Sequence, residues 1–181
     1  GGAANAANNL LDLRCSVSIA GAVGEDEAGN DLADILKSKG ADLRALRRIG
    51  SYRTPVKTRI LAGALHSAPQ QVVRVDRVCS YDRKPKISWK LVEIIAQSAD
   101  AIIVSDYGYG IIEPHLIAQL SATARRRDIP IVVDSRFRMS EFHDVTSITP
   151  NITELEASTG VSIGSDARLL RKVAQRILRN Q

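Results

Sequence analysis

Aromatic residues and sulfur are both scarce in this chain. Phe, Trp and Tyr make up 4% of its 181 residues, so the core has to be built from Ala, Val, Ile and Leu, which suits parallel sheets covered by helices. Cys15 and Cys79 lie far apart, with no Cys-x-x-Cys or His-rich neighbourhood. That excludes a zinc module or a disulfide framework and leaves free, buried thiols in a reducing compartment as the expectation. His66, His115 and His143 have no ligand spacing and read as surface or core histidines. No apolar run approaches the ~18 residues of a membrane span. The first residues lack the basic and then apolar pattern of a secretory leader. A cytoplasmic protein with no membrane partner is expected. Gly-x-Gly-x-x-Gly, the P-loop pattern and Gly-x-Ser-x-Gly are all absent, which removes Rossmann, P-loop and serine-hydrolase readings.

What remains is ordinary in bulk: 44% hydrophobic and 25% charged residues, with a net charge of +5. The length suits one domain, or one domain with a small appendage. The excess charge fits either a mildly basic surface or a face for anions. The run "ARRRD" (124–128) and the last arginines sit near helix C-termini, where the macrodipole accounts for them. No aromatic side chains interleave with them for base stacking, so a nucleic-acid partner is not expected.

The pattern along the chain alternates strand and helix. Residues 3–14 place Ala3, Ala6, Ala7, Leu10, Leu11 and Leu13 on one helical face. A small-residue strand (15–24), a helix (26–40) with acidic start and Gly40 stop, and a strand (41–49) follow. Residues 54–63 and 70–78 then alternate strictly, with Val56, Thr58 and Ile60 on one side and Lys57, Arg59 and Leu61 on the other. Two such runs predict an antiparallel hairpin, a lid or interface ribbon at about 51–78. Afterwards come a helix (88–98), a buried strand (101–110), a helix (113–128) with Pro114 in its first turn, strands at 129–135 and 144–151, a short helix (153–160) and an amphipathic helix (165–181). In that last helix Leu169, Leu170, Val173, Ile177 and Leu178 face inward. The fold class predicted is α/β, a doubly wound, mostly parallel sheet with a small antiparallel β-lid.

In such sheets ligands gather at the carboxyl ends of the strands. "SDYGYG" (105–110), "DSRFR" (134–138) and "TPNITE" (149–154) stand there, bringing Asp106, Asp134, Asn151 and Glu154 to one edge. Each is also an ordinary turn or capping residue. In "NITE", Asn151 can cap the helix starting at Thr153, with Glu154 three residues on. This is either a plain capping box or a phosphate-facing helix start, where a carboxylate beside phosphates calls for Mg²⁺ between them. "GGAAN" (1–5) is either a packed glycine turn or a ligand turn, with backbone N–H groups and the Asn5 amide available to sugar hydroxyls. Lys57, Arg59 and Arg74 on the hairpin either reach over a bound anion or only blunt an exposed edge.

Taken in order, "GGAAN", "TPVKTR", "QQVVRVDR", "SDYGYG" and "VVDSRFRMSEFHDVTSITPNITELEASTG" resemble the ribokinase-like (PfkB) carbohydrate kinases over nearly the whole chain. The hairpin and "SDYGYG" make it most similar to the heptose 7-phosphate kinases, including the kinase half of bifunctional ADP-heptose synthesis proteins. The resemblance implies ATP-dependent phosphoryl transfer, with Mg²⁺, to a phosphosugar, within ADP-heptose and lipopolysaccharide precursor synthesis. Gly1, Gly2 and Asn5 match the family's sugar-binding turn, and Asp106 the strand end that borders the sugar. Lys57, Arg59 and Arg74 fall in the lid, where phosphosugar and homodimer contacts are expected. Asn151, Ile152, Thr153 and Glu154 match its N-x-x-E element near ATP phosphates, with Glu154 on the metal side and Arg136 nearby. Tyr109 stands where many heptose kinases have Lys, and Ser135-Arg136 where they have Pro-Lys. The family's first strand and its downstream Gly-Ala-Gly-Asp segment, which carries the catalytic Asp, have no counterpart between Gly1 and Gln181. The expectation is therefore a partial kinase domain (1–181) that is inactive alone. The alternatives are another PfkB-type sugar or nucleoside kinase, or a non-catalytic sugar- or nucleotide-binding module.

Overall fold

The computed structural model describes residues 2–63, 68–78, 86–136 and 138–178. The chain forms two units, Gly1–Ile87 and Ser88–Gln181. His66 and Cys79 lie outside the described residues.

In the first unit, α1 (Gly2–Asp12) is followed by β1 (Ser18–Gly24), α2 (Glu27–Ser38) and β2 (Asp42–Ile49). β1 and β2 pair in parallel, as a right-twisted β-α-β crossover requires. Ala7, Leu36 and Ala41 form the core here, with Ala4, Leu11, Val17, Ile19, Leu32 and Leu43 packed around them. Small alanines let the helices approach closely, which compensates for the scarcity of aromatics. Both helices stop on a left-handed residue whose N–H, together with the next one, returns to the last turn: Arg14 and Cys15 to Leu11 and Leu10, and Gly40 and Ala41 to Lys37 and Leu36. The early stop of α1 exposes Leu13 and Cys15, both expected to be buried. Ala3 is exposed as well.

β3 (Val56–Ala62) and β4 (Gln70–Arg77) form an antiparallel ribbon. Its register pairs Lys57 with Asp76 and Arg59 with Arg74 on one face, and Thr58 with Val75 and Ile60 with Val73 on the other. Between Ile60 and Leu61 the register slips, so Val72 is the extra residue of a bulge. Neither strand has a buried residue.

In the second unit, α3 (Trp89–Ala96), β5 (Ile102–Asp106), α4 (Pro114–Arg127), β6 (Ile131–Ser135), β7 (Ser147–Ile148), α5 (Ile152–Thr159) and α6 (Ala167–Leu178) follow one another. β5, β6 and β7 pair in parallel, in that order. Val104, Ile131 and Val133 are buried in the sheet, and Leu116, Ile117, Leu120 and Ala124 on α4. Arg127 holds the end of α3 by donating to the Ala96 and Ala99 carbonyls. A second cluster of Met139, Leu155, Ile163 and Val173 seats α5 and α6, with Leu169, Leu170 and Ile177 against it. Leu178 is exposed, contrary to the helical pattern, because it lies past the last residue that meets this cluster. The strand expected at 144–151 shortens to Ser147–Ile148. Asp144 is left-handed (φ 56°), and Pro150 has no N–H to donate, so pairing is bounded at both ends. The parallel pairs and the separate antiparallel ribbon confirm the predicted α/β class.

Candidate functional site

The carboxyl ends of β5 and β6 carry a bonded polar cluster. Asp106, the last residue of β5, is only 4% exposed. It pairs in register with Ser135, the last residue of β6, so both side chains emerge on one face. Ser135 Oγ donates to Asp106 Oδ2 at 3.1 Å, and the Gly108 N–H donates to Oδ1 at 3.0 Å. The turn after β5 can fold back this way because Gly108 and Gly110 take positive φ (75° and 76°), which other residues adopt only at a cost. The Arg136 N–H donates to the Asp106 carbonyl at 3.1 Å, and the exposed Arg136 side chain follows at once.

Arg138 completes the cluster, and sequence reasoning did not single it out. Its guanidinium donates to the Ile112 carbonyl at 2.6 Å and to Glu141 Oε2 at 2.7 Å, while its N–H meets Ser135 Oγ at 3.3 Å. Hydrogen bonding to Glu141, helped by the charges of Glu141 and Asp106, pushes its already high pKa further up. A cation is thus pinned between the 107–112 turn and the end of β6. The only hint in the sequence was a second arginine two residues after Arg136.

Asp134 leaves β6 on the opposite face, since side chains alternate along a strand. Thr149 Oγ1 donates to it at 3.4 Å. At that carboxyl edge the side chains divide by face: Asp106 and Ser135 on one, Asp134 on the other.

Two residues past Thr149, Asn151 caps α5. The helix begins at Ile152 rather than Thr153. Asn151 Oδ1 accepts from the Glu154 N–H at 2.9 Å, and Glu154 Oε2 accepts from the Asn151 N–H at 3.0 Å, a complete capping box. Ile152 and Thr153 are exposed in the first turn. A helix start reached directly from a strand end presents free N–H groups and the positive end of the dipole. Among the described residues no group of three or more His, Cys, Asp or Glu side chains could cage a metal. A phosphate-bound Mg²⁺ needs only one or two protein carboxylates beside the phosphates; the donor set here, with Glu154 half-buried beside a helix N-terminus, fits that kind of site.

In the first unit, Gly2 opens α1 and Asn5 is exposed in its first turn; Gly1 lies outside the described residues. Lys57 and Arg59 share one face of the ribbon, as the alternation predicted, and the register brings Arg74 to that same face. Arg74 bonds Asp76 at 2.9 Å, and Arg59 stands directly opposite Arg74. His115 and His143 are exposed, and His115 sits 3.5 Å from Glu113.

The profile described as "pfkB family carbohydrate kinase" matches residues 1–180. This chain belongs to that family. It is 39% identical over 175 residues to the Bifunctional protein HldE of Geobacter sulfurreducens, covering 94% of this chain and 35% of that protein. It is 37% identical over 182 residues to the Bifunctional protein HldE of Trichlorobacter lovleyi, covering 98% and 36%. The chain therefore spans little more than a third of these curated relatives. Among solved structures, 2-dehydro-3-deoxygluconokinase from Thermotoga maritima matches with a TM-score of 0.70 at 20% identity, over 99% of this chain and 59% of that one. The tetrameric inhibited form of phosphofructokinase-2 from Escherichia coli matches with a TM-score of 0.62 at 17% identity, over 99% and 58%. At such identities these two show the fold. No helix among the described residues is long and apolar enough to cross a membrane.

Proposed function

We propose that this pfkB-family chain is the kinase portion of a cytoplasmic enzyme that transfers phosphate from ATP to a phosphosugar, converting heptose 7-phosphate to heptose 1,7-bisphosphate for ADP-heptose. The observation that carries the phosphosugar reading is the cross-strand pair Arg59–Arg74. Like charges directly opposite on a ribbon repel, and an anion lying over them turns that repulsion into attraction. Lys57 on the same face adds a third cation, and Asp76, opposite Lys57 and bonded to Arg74, offsets one of the three and leaves the face net positive; charge-assisted bonds to phosphate are about twice as strong as neutral ones. Asn5 and Gly2 would meet the sugar hydroxyls, and Asp106 would border the sugar from a buried, prearranged position.

Asn151, Ile152, Thr153 and Glu154 would face the ATP phosphates from the start of α5, with Arg136 adding positive charge. Bound Mg²⁺ supplies neutralisation of phosphate charge, and Glu154 would hold it. Phosphoryl transfer depends chiefly on such positioning and charge. A homodimer through the ribbon is supported by its apolar face, where Ile60, Val73 and Val75 are between 42% and 50% exposed.

The test is ADP release by the full-length protein with heptose 7-phosphate against fructose 6-phosphate. A clear preference for the heptose supports the reading. Equal rates remove the heptose assignment and leave another PfkB-type sugar kinase; no ADP release with any sugar or nucleoside leaves a binding module.

A further inference from the structure

The ribbon has no core of its own, yet β3 springs from a tightly bonded root. Thr54, two residues before β3, is 9% exposed, and neighbouring Tyr52 is 3% exposed. Asp26, the N-cap of α2, reaches Thr54 twice: its Oδ2 accepts from the Thr54 N–H at 2.9 Å and its Oδ1 from the Thr54 hydroxyl at 2.6 Å. Oδ1 also accepts from the Gly29 N–H at 2.9 Å, which is the helix cap itself. The Thr54 hydroxyl in turn accepts from the Gly24 N–H at the end of β1, at 2.9 Å. One carboxylate and one hydroxyl thus join the end of β1, the start of α2 and the root of the ribbon.

Glycine makes this approach possible. A Cβ on Gly24 would lie 2.4 Å from the Tyr52 carbonyl oxygen, and one on Gly29 would lie 2.3 Å from the Gly24 carbonyl oxygen and 2.8 Å from Thr54 Oγ1. Most of those atoms are backbone, which cannot swing away. A cleft of about 420 Å³, lined by Asp26, Thr54, Val56, Arg77 and their neighbours, opens at the ribbon's base. Among the described residues, the bonds of Asp26 and Thr54 tie β1, α2 and the start of the ribbon together.

We propose that Asp26 is a positioning residue for the phosphosugar: through Thr54 it fixes the root of the ribbon and so the place of Lys57 and Arg59. This rests on the reading of the ribbon as the phosphosugar lid. Lys57 lies three residues beyond Thr54, roughly 10 Å of extended chain, so a shift at the root is carried straight to its ammonium.

Asp26→Asn separates this role from the helix cap. Asparagine caps as well as aspartate, and its oxygen can keep the Gly29 and Thr54 hydroxyl bonds. Its NH₂ would face the Thr54 N–H, donor against donor. In the full-length protein, D26N should weaken heptose 7-phosphate binding by calorimetry about tenfold, the loss of one charge-assisted bond. ATP affinity should change by less than about twofold. Amide exchange over Val56–Ala62 and Gln70–Arg77 should speed up. Thr54→Val should act in the same direction, and Thr54→Ser, which keeps the hydroxyl, should behave as wild type. Sugar and ATP affinities falling together, or unchanged ribbon exchange with sugar binding intact, overturns the positioning role alone. A wild-type protein that binds no heptose 7-phosphate overturns the substrate reading beneath it.

Discussion

Lys57, Arg59 and Arg74 stand on a ribbon with no buried residue, whereas Asp106 and Arg138 are built into the ends of β5 and β6 with bonded partners on several sides. The same kinds of charged group are used in opposite ways. On the ribbon Arg59 is exposed and Arg74 makes only a surface ion pair with Asp76, so these charges contribute little to stability. At the strand ends Asp106 is buried and Arg138 largely so, each held by its own hydrogen bonds, so they fix the shape of a turn and are costly to remove. Sequence alone does not distinguish the two: both appear as acids and bases after apolar or alternating runs.

The largest effect is expected in the unit that carries the strand ends. Phe142 is 1% exposed, and Phe142→Ala should cost about 4 kcal/mol, read as the shift in the urea unfolding midpoint. A loss under about 1 kcal/mol would mean that this unit is not tightly packed. Asp106→Ala strands the Ser135 hydroxyl and the Gly108 N–H beside Arg138, and about 3 kcal/mol should be lost in the same assay. Near-neutral behaviour would place Asp106 with the ribbon cations instead.

The ribbon should respond in the other direction. Arg59→Ala combined with Arg74→Ala should change stability by no more than about 0.5 kcal/mol while weakening heptose 7-phosphate binding about thirtyfold. Unchanged affinity would return these arginines to the role of edge solvation.

The smallest effect is expected at the root of the ribbon, at Asp26. Its pKa is held below the ordinary carboxylate value chiefly by the Thr54 hydroxyl, then by the Thr54 and Gly29 N–H groups and the charge of Arg53, against some desolvation. A depressed folded-state pKa stabilises the fold above the unfolded value near ~3.9 and ceases to do so as pH falls through the folded value. Wild type should therefore exceed D26N in unfolding midpoint at pH 6, and the gap should narrow below about pH 4. A gap that is constant with pH would assign the difference to packing. Asp42, brought down to about 2 mainly by its hydrogen bond from Arg44, titrates in the same acid range in both proteins and cancels from the comparison.

Much of the fold could be read in advance because it is periodic. Apolar runs marked β5 and β6, strict alternation marked β3 and β4, and Gly40 and Pro114 marked helix ends where the backbone demands them. The errors fall where tertiary contacts decide. Leu13, Leu178 and Cys15 satisfy a helical or apolar pattern, yet all three are exposed. Residues 144–151 are rich enough in β-branched side chains for a strand, yet only Ser147–Ile148 pair with β6. Of the site, the ribbon cations, Asp106 and the Asn151–Glu154 pair were visible from residue type and spacing. Arg138 and Asp26 were not, because their partners lie in other elements: Ile112 for one, Thr54 for the other.

The sequence by itself determined the α/β alternation, the ribbon, the family and the residue types able to meet a sugar, a phosphate and a nucleotide, since periodicity and local chemistry are properties of neighbours along the chain. Tertiary contacts settled that the acids at the strand ends divide between two faces and that the ribbon is rooted through Asp26 and Thr54. Those outcomes depend on which backbone groups are left without partners when distant segments meet. A buried N–H or carboxylate takes whatever partner the packing brings within about 3 Å, and no local pattern encodes that choice.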